Sequence, residues 1–264
     1  MPNSLFDLSG RVALVSGASR GLGAQFAQAL ARSGADLIIT SRTLESLVTT
    51  TDEVKKLGVR CLPLVLDVRD QHSIHECVDA AMQEFGKLDI LVNNAGCNVR
   101  KPALEITWDD WNLVLDTNLR GVFFLAQAVG KHMVAARYGR IINIGSVTSV
   151  HAYAGLGPYC ASRGGTKQLT MSLADDWGPY GVTVNCLAPG WFKTAQNRVM
   201  YEDKTWVEYL TDRIPLRRPG QSGDLDGTLI YLASDASAYV TGQIILVDGG
   251  ISTGAVRAVP KPSK

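Results

Sequence analysis

The chain has 264 residues, 46% of them apolar and 19% charged, with a formal net charge of +1. That length suits one α/β domain with a large core, and so small a net charge supplies no field to recruit nucleic acid or an anionic membrane, which leaves small-molecule chemistry. Cysteines at 61, 77, 97, 160 and 186 show no C-x-x-C spacing, the opening MPNSLFDLSGR has no apolar signal core and no apolar run approaches the ~18 residues of a spanning helix, so a soluble cytoplasmic protein is expected.

Arg11 to Ser16 reads as a short buried strand that runs directly into Gly17-Ala18-Ser19-Arg20-Gly21-Leu22-Gly23 and then the helical pattern AQFAQALARSG. Strand, glycine turn and helix in that order bind phosphate. Residues without a Cβ let the backbone approach a pyrophosphate, and amide groups and the helix N-terminus point at it. A second strand, Ala35 to Thr40, leads to Ser41-Arg42, where a dinucleotide fold meets the adenosine ribose. A carboxylate there would accept from a free 2′-hydroxyl and repel a 2′-phosphate. None is present, and Arg42 and Arg20 both reach that corner, so the expected cofactor is NADP(H). A helix over about 43–57 and a third strand, Cys61 to Leu66, bring Asp67-Val68 to a strand end, suited to accept from an adenine amino group or to cap the helix 71–85. His72 and His75 on that helix have no further ligand partners and read as surface residues, so no metal is expected.

Leu88 to Val92 makes a fourth strand, closed by the small residues of Asn93-Asn94-Ala95-Gly96. The segment Trp108 to Arg137 carries helical patterns with Asn118 inside an apolar run, a costly place for an amide without partners. Arg140 to Gly145 is the fifth strand and delivers Ser146 to its end. Tyr159 follows Ser146 by thirteen positions, and Arg163 follows Tyr159 by four. With Pro158 opening a helix, Tyr159 and Arg163 share one face. A phenol titrates near ~10 and needs positive charge beside it to exchange protons near neutrality; Arg163 is placed to supply that charge, and Ser146 to hydrogen-bond the reacting oxygen. The same spacing also fits a packed tyrosine beside a solvated arginine.

Strand Val182 to Leu187 leads to Pro189-Gly190-Trp191-Phe192-Lys193-Thr194. From there to about Gly220 the chain is aromatic and basic, without a long clean periodicity, and reads as a lid over about 190–220. A helix, Leu225 to Ser234, and a last strand, Gln243 to Val247, precede Asp248-Gly249-Gly250, and the tail 251–264 is expected to be loose or packed on a neighbouring subunit. The alternation implies one Rossmann-like, doubly wound α/β domain spanning 1–264, a mostly parallel seven-stranded sheet with helices on both faces. Ligands bind such sheets beyond the strand C-termini, where Gly17, Asp67, Asn94, Ser146 and Pro189 gather.

With these pieces in order, the chain resembles the short-chain dehydrogenase/reductase family from about Leu8 to Gly250. The marks are SGASRGLG at 16–23, DV at 67–68, NNAG at 93–96, Asn118, Ser146, Tyr159, PGWFKT at 189–194 and VTGQIILVDGG at 240–250. The resemblance implies that Tyr159 is the general acid/base, that Ser146 orients the carbonyl or alcohol and that Asn118 holds a water in a proton relay. It implies too that Thr194 and the Pro189-Gly190 turn hold the nicotinamide end, and that the protein is a homotetramer or dimer. One departure stands out: the family's Tyr-x-x-x-Lys is here Tyr-x-x-x-Arg. Arg163 keeps the charge and can donate to ribose hydroxyls, but with a pKa above ~12 it does not give up a proton. Lys167, ~6 Å further along the helix axis and rotated away, does not take its place. The expected route for the proton is the ribose hydroxyl and water.

Within the family the chain is similar to gluconate 5-dehydrogenases and related sugar or polyol dehydrogenases, on NNAGCNVRKP at 93–102, GRIINIGS at 139–146 and APGWFKT followed by RIPLRRPG. That likeness implies ketone–alcohol interconversion on a small polar substrate, with Arg100 at the mouth pairing a carboxylate. Arg213, Arg217 and Arg218 could serve instead, and His151, Tyr153 and Trp191 are further candidate substrate contacts. Two other readings share these motifs: a 3-oxoacyl-carrier-protein reductase, which a basic rim would favour, and an NADP(H)-binding protein in which Arg163 has ended catalysis.

Overall fold

The computed structural model describes residues 5–193 and 195–254, with backbone alone for 195–198. Strands β1 (Val12–Val15), β2 (Asp36–Ser41), β3 (Cys61–Val65), β4 (Ile90–Asn93), β5 (Gly139–Ile144), β6 (Val182–Pro189) and β7 (Ile244–Val247) form one sheet in the order β3-β2-β1-β4-β5-β6-β7, parallel at every pairing. The helices are α1 (Gly21–Arg32), α2 (Val48–Lys55), α3 (Gln71–Phe85), α4 (Trp108–Leu115), α5 (Gly121–Ala136), α6 (Gly157–Trp177), α7 (Lys204–Arg213) and α8 (Asp226–Ala233).

A parallel sheet covered on both faces calls for strands that are apolar throughout, and β1, β4, β5 and β6 are buried at every residue. The two-residue alternation sorts their side chains into two cores. Ala13, Val15, Leu37 and Ile39 pack with Phe26 and Leu30 of α1 and Leu229 and Leu232 of α8. Val12, Leu14 and Ile38 pack on the opposite face with Ile74 and Val78 of α3, Leu125 and Val129 of α5, and Leu173 of α6. The chain runs outward from β1 to β3 and resumes on the other side at β4, so the β1–β4 boundary is the switch point where a crevice opens.

Three segments differ from the sequence expectation. The helix expected over 43–57 is a 3₁₀ turn, Glu45–Leu47, followed by the short α2, whose run of β-branched Thr49, Thr50 and Thr51 forms helix weakly. The segment 108–137 is interrupted by a π-helical turn, Asp116–Arg120, which carries Asn118. Within the lid, α7 is an α-helix that periodicity missed, because Leu210 alone of its residues is fully buried. Its start is fixed instead by Asp203, whose carboxylate accepts from the amides of Thr205 (2.9 Å) and Trp206 (3.2 Å). Asp67 is not a helix cap either: the amide of His72, in the first turn of α3, donates to Asp70 at 2.9 Å.

Candidate active site

A cavity of about 530 Å³ lies at the C-terminal ends of β1, β4, β5 and β6. Its floor is the glycine turn. A Cβ at Gly23 would strike the Gly17 carbonyl, and one at Gly17 would come within 2.9 Å of the Ala95 Cα, so the turn and the β4 loop approach each other as only glycine allows. Ser16, named in the sequence only as a strand end and part of a motif, brackets the two: its Oγ accepts from the amides of Asn94 and Ala95, each at 3.0 Å. The Asn94 side-chain amide returns the contact by donating to the carbonyls of Ser16 (2.9 Å) and Gly17 (3.0 Å). A hydroxyl closing an otherwise apolar strand was the signal that could have found Ser16. The N-terminus of α1 has no side-chain cap and no acidic residue in its first turn, which leaves amides and dipole free for an anion. These features fit the pyrophosphate of a dinucleotide.

At the adenosine end, Ser19, Arg20, Leu22, Arg42, Asp67 and Val68 all line the cavity. Arg20 and Arg42 are exposed, and neither lies within ion-pair distance of a carboxylate among the described residues, though the Arg42 charge helps to lower the Asp67 carboxyl. Arg69, which the sequence reading passed over, joins them. Its Nε and Nη2 donate to the two oxygens of Asp67 at 3.1 and 2.7 Å, and these bonds hold the Asp67 carboxyl below the usual carboxylate range. Asp67 is therefore ionised but shared, with lone pairs left for an incoming donor.

At the other end, Gly96, Ser146, Tyr159, Arg163, Pro189 and Gly190 line the same cavity, together with Cys97, Asn98, Leu113, Thr117 and Phe192. Ser146 leaves β5 in extended backbone and its Oγ accepts from the Thr148 amide at 3.1 Å, so its own O–H remains available to a ligand. Pro158 sits in the first turn of α6, which presents Tyr159 and Arg163 one turn apart, with the guanidinium carbon 5.1 Å from the ring centroid. Arg163 is buried rather than solvated, and its Nη1 donates to the Ile144 carbonyl at 2.7 Å. Asn118 is fully buried and lies behind the cavity wall. Its Oδ1 accepts from the Cys97 amide (2.9 Å), and its Nδ2 donates to the Cys97 carbonyl (2.9 Å) and Ser162 Oγ (3.1 Å). The expected cost of the amide is thus offset locally, and the Asn118 main-chain carbonyl accepts from Thr166 Oγ1 at 3.1 Å. Thr194 lies outside the described residues.

The residues expected at the mouth divide. Tyr153, Trp191, Trp206 and Tyr201 form a chain of edge-to-face rings with centroids 5.3–5.6 Å apart, tying the loop after Ser146 to the lid. Trp191 Nε1 and Tyr201 OH are buried in it without a hydrogen-bond partner. His151 is exposed and its Nε2 meets the Ser252 carbonyl at 2.7 Å, which binds that loop to the C-terminal segment. Arg100 is exposed and does not line the cavity. Arg217 and Arg218 pair with Asp212 and Asp224, and Arg213 stacks on Tyr209 at 3.5 Å.

The sequence model described as enoyl-(acyl carrier protein) reductase matches residues 17–252. The chain is 42% identical over 248 residues to a gluconate 5-dehydrogenase of Gluconobacter oxydans, covering 94% of this chain and 97% of that one. It is 40% identical, again over 248 residues, to a 2-dehydro-3-deoxy-D-gluconate 5-dehydrogenase of Escherichia coli, with coverage of 94% and 97%. A crystal structure of a gluconate 5-dehydrogenase from Burkholderia cenocepacia in complex with NADP and tartrate superposes with a TM-score of 0.91 at 41% identity, covering 95% of this chain and 98% of that one.

Proposed function

The chain belongs to the short-chain dehydrogenase/reductase family, and from that premise we propose that it is an NADP(H)-dependent oxidoreductase interconverting a ketone and a secondary alcohol on a sugar acid. The observation that carries this reading is the meeting, in one cavity, of a glycine turn with an uncapped helix end, two unpaired arginines where a 2′-phosphate would sit, and Ser146, Tyr159 and Arg163 opposite them. The sugar-acid relatives at 40–42% identity support the substrate class.

When bound, the cofactor supplies or takes up hydride at the substrate carbon. The residues of this chain manage the proton. Tyr159 gives its hydroxyl proton to the developing alkoxide in reduction and takes it back in oxidation. Ser146, with its Oγ already accepting from Thr148, turns its O–H toward the same oxygen. Arg163 sets a guanidinium beside the Tyr159 ring, its carbon 5.1 Å from the ring centroid. Asn118 would hold a water of the proton relay. Arg20 and Arg42 take the 2′-phosphate, and the Pro189-Gly190 turn and Thr194 the nicotinamide end. Arg100, His151, Tyr153 and Trp191 remain the candidate substrate contacts of this reading, beside a lid at about 190–220.

The whole of 1–264 acts as one catalytic domain in this reading, assembled as a homotetramer or dimer. No helix among the described residues is long and apolar enough to cross a membrane. A cytoplasmic enzyme is the reading that agrees with this. The test is NADPH and NADH oxidation against ketogluconates, ketoses, acetoacetyl esters and aryl ketones. Turnover of a keto-sugar acid with NADPH is expected. Turnover confined to acetoacetyl esters would favour the acyl-carrier reading, and NADPH binding with no turnover would mean that Arg163 has ended catalysis.

A further inference from the structure

The sequence puts no carboxylate next to Arg42, but the fold brings one near it. Strands β2 and β3 run parallel with Ser41 beside Val65, and the Leu66 amide donates to the Ser41 carbonyl at 2.7 Å, so Arg42 and Asp67 leave neighbouring strand ends. Both line the nucleotide cavity, close enough for the Arg42 charge to bear on the carboxyl. The carboxylate nevertheless pairs with Arg69 and not with Arg42. Its Oδ1 accepts from the Arg69 amide at 3.0 Å and from Nε at 3.1 Å, and its Oδ2 accepts from Nη2 at 2.7 Å. Three of about four lone pairs are thus taken by one residue, through the two-pronged contact that fixes a carboxylate most firmly. The Asp67 and Arg69 side chains are 29% and 39% exposed, so the pair stands on the cavity wall and not in the core. A free carboxylate at this corner would repel a 2′-phosphate, or turn to Arg42, the guanidinium that the phosphate needs.

We infer that Arg69 is a positioning residue for the choice of cofactor: by occupying the Asp67 carboxylate and offsetting its charge, it keeps Arg42 free for a 2′-phosphate that Arg69 itself does not touch. This inference rests on the NADP(H) reading above. With the fork removed, Asp67 has Arg42 and water to turn to, and the corner loses both a free guanidinium and the cation that balanced the carboxylate. Adenine is common to NADPH and NADH, so whatever Asp67 does for the base cancels in the ratio of the two affinities. The charge at the ribose corner does not cancel, and the ratio reads it alone.

The experiment measures the NADPH and NADH dissociation constants without substrate, by fluorescence titration of the purified full chain, with melting temperature as the fold check. Arg69→Ala lowers the preference for NADPH over NADH about fivefold, through NADPH affinity alone. Asp67→Asn added to Arg69→Ala removes the charge that Arg69 was holding and keeps an acceptor for the base, and the preference returns to within about twofold of wild type. Arg69→Lys, which keeps a cation able to pair with Asp67, loses no more than about twofold. An unchanged preference in Arg69→Ala would overturn the inference. A double variant that stays as low as Arg69→Ala would overturn it too, since Arg69 would then meet the phosphate directly. Wild-type protein that binds NADPH no more tightly than NADH defeats the NADP(H) reading itself, a result distinct from both.

Discussion

The two ends of the cavity are built from different materials. At the cofactor end the work is done by main chain: glycines that admit the Ala95 and Gly17 backbones, the uncapped start of α1, and amides bracketed by Ser16 Oγ. At the other end it is done by side chains, with Ser146, Tyr159 and a buried arginine held on a carbonyl beside a glycine, while a chain of four aromatic rings outside the cavity lining ties the neighbouring loop to the lid. The main chain leaves no room for an added atom at Gly17 or Gly23, whereas the rings, two of them on α7 and the preceding 3₁₀ turn, meet only edge to face. The comparison assigns tight, substrate-independent recognition to the first end and adjustable recognition to the second.

That division can be broken at graded cost. The largest effect is expected from Gly23→Ala, whose Cβ meets the Gly17 carbonyl and the Asn94 side chain rather than a flexible group. Overpacking of about 1–3 kcal/mol there corresponds to a loss of NADPH affinity of up to about 100-fold, measured by fluorescence titration. Arg42→Ala comes next. It removes charge-assisted bonds to the 2′-phosphate at an exposed position, so NADPH binding weakens about tenfold and NADH binding does not change. The smallest effect belongs to Trp206→Ala, which deletes two edge-to-face pairs, each worth about 0.5–1.5 kcal/mol, from the lid. The KM for the keto-acid rises about fivefold with NADPH affinity unaltered. A fall in NADPH affinity equal to that of Arg42→Ala would erase the distinction between the two ends.

The same contrast explains what could be read from the sequence. Buried parallel strands announce themselves as apolar runs, and a glycine turn between a strand and a helix has few other uses, so the sheet, its switch point and the residues at the strand ends were legible. Side-chain seats were not. The partners of Arg163, Ile144 and Gly96, lie 19 and 67 positions away in sequence, and only folding brings them together. Arg69 was hidden because its neighbour Asp67 had a sufficient role alone. Asn118 was legible as an anomaly but not as a π-helical turn, since hydrophobic periodicity does not distinguish one inserted residue within a long helix. In the lid, Arg217 and Arg218 looked available for a substrate anion, and their acidic partners Asp212 and Asp224, five and six residues off, take that role away.

If Tyr159 exchanges the proton while the rest of the cavity holds NADP(H), Tyr159→Phe stops that exchange with the loss of one oxygen atom. General acid–base catalysis contributes about 10²–10⁴-fold, so the kcat for keto-sugar-acid reduction should fall by that factor with NADPH affinity and melting temperature unchanged. A kcat within about threefold of wild type, at unchanged NADPH affinity, would contradict the account and move the proton to another group.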